Sequence, residues 1–220
     1  MDMRAAILIL AMTAALATAP AALAATLTTD TRCYQETQDV VVSGTGFAPM
    51  GQIAIARDSI AFGTANADAA GNFQAKFPAA ELGRDQRETV TSLTATDGAL
   101  NAASTRYRTT KVFADFAPDS GDPKTLTVRF NVNGFGLLRR HASVYLHYIS
   151  PGGKLRRDVR LGTALGTCGV IHKTRERHLF PFPAEPGRWI LQFDTNKKYT
   201  RATSKSPYIW VRKPVEIFTK

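Results

Sequence analysis

The sequence predicts an all-β protein made of two tandem antiparallel β-sandwiches, and three observations carry that expectation. Short runs of alternating apolar and polar residues, bounded by Gly, Pro, Asn or Asp, recur along most of the chain. Nothing reads as a long amphipathic helix. The chain also repeats itself: Val40-Val-Val-Ser-Gly-Thr-Gly-Phe47 returns as Val128-Arg-Phe-Asn-Val-Asn-Gly-Phe135, and Phe77-Pro-Ala-Ala-Glu-Leu-Gly-Arg84 returns as Phe182-Pro-Ala-Glu-Pro-Gly-Arg188. The offsets of 88 and 105 residues imply a period of about 100 residues, the size of one immunoglobulin-like sandwich, with an insertion in the second copy.

In chain order, residues 1–24 stand apart from the fold. Arg4 precedes an almost unbroken apolar run over residues 5–17, and Ala22-Leu23-Ala24 supplies small residues for a signal peptidase. The expectation is a signal peptide cleaved between Ala24 and Ala25, because the run is shorter than the roughly 20 residues a membrane span needs. The mature chain is then secreted or periplasmic, free or loosely held at the cell envelope. Residues 25–110 read as the first sandwich, with strands at 26–31, 39–43, 52–56, 60–65, 72–77, 89–96 and 104–110. Gly46-Phe-Ala-Pro49, Asp68-Ala-Ala-Gly71 and Asp97-Gly98 supply turns between them.

Residues 111–220 read as a second sandwich joined to the first without a flexible linker. Its strands are expected at 125–133, 143–149, 155–161, 176–182, 188–194 and 208–213. Period-two alternation puts Leu155, Arg157, Val159 and Leu161 on one face, and Arg156, Asp158 and Arg160 on the other. Trp189, Leu191 and Phe193 alternate in the same way with Ile190, Gln192 and Asp194, which makes Trp189 a core aromatic.

Several motifs carry a resemblance. The run from Val40 to Pro49, with Gly63-Thr-Ala-Asn-Ala-Asp68 and Gly71-Asn-Phe73, resembles the Ig-like domains of secreted and surface bacterial proteins. Val144-Tyr-Leu-His-Tyr148, Pro151-Gly-Gly-Lys-Leu155, Cys168-Gly169 and Gly187-Arg-Trp189 resemble the C-terminal half of small secreted proteins with this tandem layout. Such sandwiches serve as spacers, adhesins and carbohydrate or protein binders, so the resemblance implies a fold and leaves the chemistry open.

Charge is divided unevenly. Residues 25–110 carry 7 Lys and Arg against 9 Asp and Glu, whereas residues 111–220 carry 20 against 8. The basic residues gather at Lys154, Arg156, Arg157 and Arg160, at Lys173, Arg175 and Arg177, and at Lys197 and Lys198. One reading is a solvated face that prevents edge-to-edge pairing. The other is an anion-binding face for an envelope polymer or polysaccharide. No base-stacking aromatic motif accompanies the charge, which argues against nucleic acid as partner.

The chain shows no Gly-x-Ser-x-Gly elbow, phosphate loop or His-Glu-x-x-His, and the expectation is a non-catalytic protein without cofactor. The alternative is an envelope hydrolase using carboxylates such as Asp158 and Glu176. His141, His147, His172 and His178 lack the spacing of a zinc module and read as scattered surface histidines. Asp115, Asp119 and Asp122 could hold calcium near the junction of the halves, although Asp here more often makes turns.

Cys33 and Cys168 are the two cysteines, one in each half. In an exported chain an even number of cysteines pairs as a rule. By an up-and-down count of strands, Cys33 lies in the turn after the first strand, at the pole facing the second half. Cys168, between strands 155–161 and 176–182, lies at the pole facing back. A bridge between the halves is therefore feasible; two free buried thiols or an intermolecular dimer are the alternatives.

Overall fold

The computed structural model describes residues 24–119, 121–122 and 124–218, so the signal segment expected over 1–24 lies outside the described residues except for Ala24. Among the described residues no helix is long and apolar enough to cross a membrane.

The first half contributes β1 (Thr26–Thr29), β2 (Cys33–Gln35), β3 (Asp39–Thr45), β4 (Gln52–Arg57), β5 (Ile60–Asn66), β6 (Phe73–Pro78), β7 (Glu88–Asp97) and β8 (Ala102–Thr110). They form two sheets, ordered β1-β3-β6 and β2-β8-β7-β4-β5. Leu27, Val40, Val42 and Phe47 from the first sheet and its turn meet Ile53, Ile55, Leu93 and Tyr107 from the second in one buried cluster. The second half contributes β9 (Phe113–Ala117), β10 (Thr127–Asn133), β11 (Ser143–Ile149), β12 (Leu155–Thr163), β13 (Arg177–His178), β14 (Gly187–Asp194) and β15 (Trp210–Ile217). Its sheets are β13-β10-β9 and β12-β11-β14-β15, closed over Phe116, Phe130, Val132, Val144, Leu146, Trp189, Leu191 and Phe193. Each half thus carries the Greek-key strand order of an immunoglobulin-like sandwich.

Both sequence repeats fall at equivalent places in the two halves. β3 and β10 are the middle strands of the three-stranded sheets, each followed by a turn that buries a phenylalanine, Phe47 or Phe135. The first Phe-Pro-Ala repeat starts at the end of β6 and leads toward β7, and the second lies between β13 and β14. The offset grows because the connection 164–176 is longer than its counterpart 67–72 and because the turns before β11 and β12, and β12 itself, are longer too.

Four expectations are corrected. The first strand, expected over 26–31, breaks so that β1 pairs with β3 while β2 crosses to the other sheet and runs parallel to β8. Asp30 pins that crossover, accepting from the Tyr34 hydroxyl at 2.5 Å and the Val41 N–H at 3.0 Å. Cys33 therefore opens a short strand instead of sitting in a turn. β9 was not expected at all, since five residues ending before Pro118 carry too little alternation to stand out. The strand expected over 176–182 is a ladder only at Arg177–His178, because Phe180 and Phe182 leave it to pack on Tyr148 and Trp189.

The fourth correction concerns β12. Register shifts opposite Val144/Tyr145 and Tyr148/Ile149 pair His147 with Asp158, Tyr148 with Arg157, but Ile149 with Leu155. An irregularity inserts an extra residue and moves those beyond it to the other face. Leu155 therefore does not share a face with Arg157, and it is exposed.

Trp189 is buried, with its indole N–H donating to the Glu185 carbonyl at 2.9 Å. The neighbouring Tyr148 hydroxyl is buried with no protein partner among the described residues, and burial raises its pKa. Trp189→Ala is expected to destabilise by about 3–5 kcal/mol through the cavity it opens. Tyr148→Phe is expected to change stability by less than about 1 kcal/mol in either direction, since no bond is lost. Urea unfolding of the two variants checks the contrast.

The halves are fastened where they meet. Asn133 donates to the Thr110 hydroxyl at 2.5 Å and the Lys111 carbonyl at 3.0 Å, while the Lys111 ammonium donates to the Gly83 carbonyl at 2.7 Å. The Arg87 guanidinium lies 4.6 Å from the centre of the Phe113 ring. Cys33 and Cys168 are joined, with their Cα atoms 5.4 Å apart. Beside the bridge, Gly169 at φ +78° packs backbone to backbone on Gly136, whose N–H donates to the Cys168 carbonyl at 2.9 Å. A Cβ on Gly169 would fall 2.0 Å from the Gly136 nitrogen. Gly169→Ala combines this clash with an unfavourable φ and is expected to cost about 2 kcal/mol or more, read as a lowered melting temperature.

Candidate anion-binding site

Of the nine predicted basic residues, Lys154, Arg156, Arg157, Arg160, Lys173, Arg175, Lys197 and Lys198 are exposed and Arg177 is half-buried. Among the described residues none of the nine forms an ion pair with a carboxylate. Along the chain they fall into two groups. The first lines the edge where β12 approaches β13. There Arg157 donates to the Pro181 carbonyl at 3.1 Å, and Arg157 and Arg177 are both close enough to favour the charged form of Tyr148. Lys154, Arg156 and Arg160 lie along the same edge strand, while Lys173 and Arg175 precede β13. The second group, Lys197 and Lys198, belongs to the long connection between β14 and β15.

That connection, residues 195–209, builds a feature that sequence reasoning missed. Tyr145, His147 and Ile149 alternate with the core residues Val144, Leu146 and Tyr148, so they belong to the outer side of their sheet. An outward histidine reads as a surface group, yet His147 is fully buried because residues 195–209 fold over it. The Tyr199 ring lies 5.5 Å from the imidazole. His147 Nδ1 pairs with Asp158, and Nε2 faces Asp194 Oδ1 at 3.1 Å and the Asn196 carbonyl at 3.2 Å. Gln192 donates to Asp194 at 2.7 Å and to the Thr200 carbonyl at 2.9 Å, and accepts from Arg212 Nε at 2.9 Å. Two carboxylates, the imidazole and the Arg212 guanidinium are thus tied into one network around the start of the loop. Burial opposes the charge on His147, but the carboxylates of Asp194 and Asp158 outweigh it and raise its pKa. The signal available in the sequence was polar Gln192 and Asp194 on the outer side of a strand followed by an unusually long connection.

Asp194 has a counterpart. Asp97 ends β7 as Asp194 ends β14, and each carboxylate accepts from the N–H two residues later, in Ala99 and Asn196 at 2.9 Å. Asp97 also holds Ala48 N–H at 2.7 Å and Asn101 at 2.8 Å, and these bonds, the Asn101 side chain foremost, lower its pKa. In both halves one carboxylate fastens the corresponding loop.

Two concavities lie near these elements. A groove of about 570 Å³ at the junction is lined by residues including Glu36, Arg84, Asp85, Arg87 and Lys111. Its charge is mixed, and Glu36 already accepts from Leu82 N–H at 2.6 Å. A pocket of about 250 Å³ opens between residues 134–142 and 195–209, with Arg139, His141 and Lys197 in its wall and no carboxylate.

The hydrolase alternative meets a different arrangement. Asp158 is committed to His147, whereas Glu176 accepts from the Thr127 hydroxyl at 2.9 Å and Arg129 at 3.2 Å. Those two partners lower the pKa of Glu176, opposite to the shift a proton-donating carboxyl needs. With both ring nitrogens engaged under the loop, His147 is not placed to act as a base. Asp115 pairs with Lys213 and Asp122 accepts from Lys124 N–H at 3.0 Å in a turn. Among the described residues no three His, Cys, Asp or Glu side chains converge as a metal site.

No family model matches the chain, and no curated protein matches its sequence. Among solved structures, similarity extends to a tetra-tandem repeat from the extending region of a large adhesion protein, at 12% identity and a TM-score of 0.30 over 89% of this chain and 49% of that one. It extends also to dimeric latent PorU from Porphyromonas gingivalis, at 14% identity and a TM-score of 0.33 over 86% and 19%. Red sea bream transglutaminase matches at 8% identity and a TM-score of 0.31 over 90% and 32%. The chain spans at most about half the length of these proteins, and its assignment to tandem immunoglobulin-like sandwiches rests on its own strand pairing.

Proposed function

We propose that the protein is an exported, non-catalytic binding module that attaches to an anionic envelope polymer or polysaccharide through its basic second half. The observation that carries this reading is the set of nine basic side chains that form no ion pair with a carboxylate among the described residues, placed on and beside β12, on and before β13, and on residues 195–209. A surface meant only to stay soluble gains most from interspersed charges of both signs. Here positive charge accumulates on one half, while the first half stays slightly acidic.

Retention on an immobilised polyanion such as polygalacturonate tests it. The protein is expected to bind at low ionic strength and elute well before about 1 M salt, where the Debye length is only about 3 Å. Combined substitution Lys154→Ala, Arg156→Ala and Arg175→Ala is expected to shift elution to lower salt. Equal retention at low and high salt, or no retention by isolated envelopes and polyanion alike, would sink the reading.

A further inference from the structure

We infer that the pocket between residues 134–142 and 195–209 is a subsite for one anionic sugar residue, its oxyanion held by Arg139, His141 and Lys197 and its ring laid against Tyr145. This rests on the polymer-binding reading above and names the place where a single unit of the polymer is recognised.

The composition of the pocket points to this ligand class. The wall carries two permanent cations, Arg139 and Lys197, with His141 beside them, and no carboxylate competes for them. A guanidinium and an ammonium residue lining one small cavity favour a carboxylate or phosphate oxygen. Ser143 and Thr195 add hydroxyls, which suit the neighbouring hydroxyls of a sugar. Arg160 donates to the Ser143 hydroxyl at 3.2 Å, bringing a further positive charge up to the same wall. A Tyr145 ring at the wall offers the apolar surface that one face of a sugar needs. About 250 Å³ holds one such ring and not a longer segment.

The pocket is also held in shape before a ligand arrives. One wall follows directly on Asp194, which is fully buried and holds His147 and the Asn196 N–H. Asn196 in turn accepts from Lys198 N–H at 3.3 Å, fixing the turn that carries Lys197. The other wall carries His141 at φ +54°, a conformation uncommon for a residue with a side chain and often stored at binding sites. Walls fixed in advance lose less entropy on binding. His147 is engaged by Asp158 and Asp194 beneath the loop, so Arg139 and Lys197 are the permanent charges that the pocket wall itself presents.

The test titrates the full chain, monitored by amide shifts in NMR spectra, with glucuronate, glucose 6-phosphate, glucose and inorganic phosphate. A saturable response at residues 134–142 and 195–209 is expected for glucuronate or glucose 6-phosphate, and the tighter of the two identifies carboxylate or phosphate as the polymer's anion. Glucose is expected to bind at least about tenfold more weakly, as the loss of a charge-assisted contact implies. Arg139→Ala and Lys197→Ala, both at exposed positions, are each expected to weaken the acidic sugar about tenfold or more. Lys154→Ala with Arg156→Ala, away from the pocket, is expected to leave it unchanged while lowering polymer retention. Equal response to glucose and the acidic sugars, inorganic phosphate binding as tightly as either sugar, or no response from the pocket residues would each overturn the subsite. Polymer retention unaffected by Arg139→Ala with Lys197→Ala would likewise overturn it while leaving the polymer-binding reading intact. Sugar binding without any polymer retention would do the reverse.

Discussion

Replacing Cys33 and Cys168 together by alanine is expected to lower the free energy of unfolding by about 5 kcal/mol, the chain-entropy value for a loop closed across a separation of 135 residues. Both sulfurs sit in buried positions, so alanine fits with little new exposure, and the loss falls mainly on the unfolded chain. A second consequence distinguishes this bridge from one within a single sandwich. The two hydrophobic clusters draw on separate stretches of chain, and the bridge is their one covalent tie besides the backbone. Without it, denaturant unfolding is expected to separate into two transitions, visible as non-coincident tryptophan fluorescence and circular dichroism, since both tryptophans lie in the second half. A variant that unfolds in one transition within about 1 kcal/mol of the parent would show that the bridge contributes nothing.

His147→Leu is expected to cost about 3–5 kcal/mol, because it leaves the fully buried Asp194 carboxylate facing an apolar side chain. Asp158, whose side chain is 42% exposed, can turn toward water and is expected to add little to that loss. The double variant His147→Leu and Asp194→Leu is expected to be less destabilised than His147→Leu alone, since the stranded charge is gone. The same network sets a pH dependence. The folded pKa of His147 is raised above its ordinary value of 6.5, so its contribution is fully present below about 6.5 and is lost as pH rises through the folded value. Asp115 and Glu176 have lowered pKa values, so their contributions are present above the ordinary carboxylate range and lost as pH falls through the folded values. Burial pushes the Asp115 carboxyl up, but Lys213 and the Phe116 N–H together outweigh it and lower its pKa. Stability is therefore expected to peak in mildly acidic solution, and the decline on the alkaline side is expected to vanish in His147→Leu. Melting temperatures between pH 4 and pH 9 measure both limbs; an alkaline decline that survives the substitution would assign it to another group.

The bulk of the strands was legible because burial on one face of a sheet imposes period-two alternation within a few residues. Val40 and Val42, or Trp189, Leu191 and Phe193, announce their strands without reference to anything distant. The elements that escaped are those decided by partners far along the chain. β2 exists because Asp30 holds a crossover that brings Cys33–Gln35 beside β8, and β9 because Phe113–Ala117 finds β10. The extra residues in β12 escaped because alternation read from one strand assumes a regular ladder with the next.

The candidate site divides along the same line. Residue types, the concentration of positive charge in residues 111–220 and the placement of one cysteine in each half are properties of the sequence itself, and they carried the expectation of a basic surface and of a bridge between the halves. Which basic residues meet was decided by the tertiary structure: Arg157 comes to the β13 edge, while Lys197 joins Arg139 and His141 across a pocket. The burial of His147 was decided there too, because a side chain's exposure depends on what folds over it, and the covering loop begins 48 residues further on at Thr195. Local alternation states which side of a strand a residue occupies; only the path of the remaining chain determines whether that side meets water.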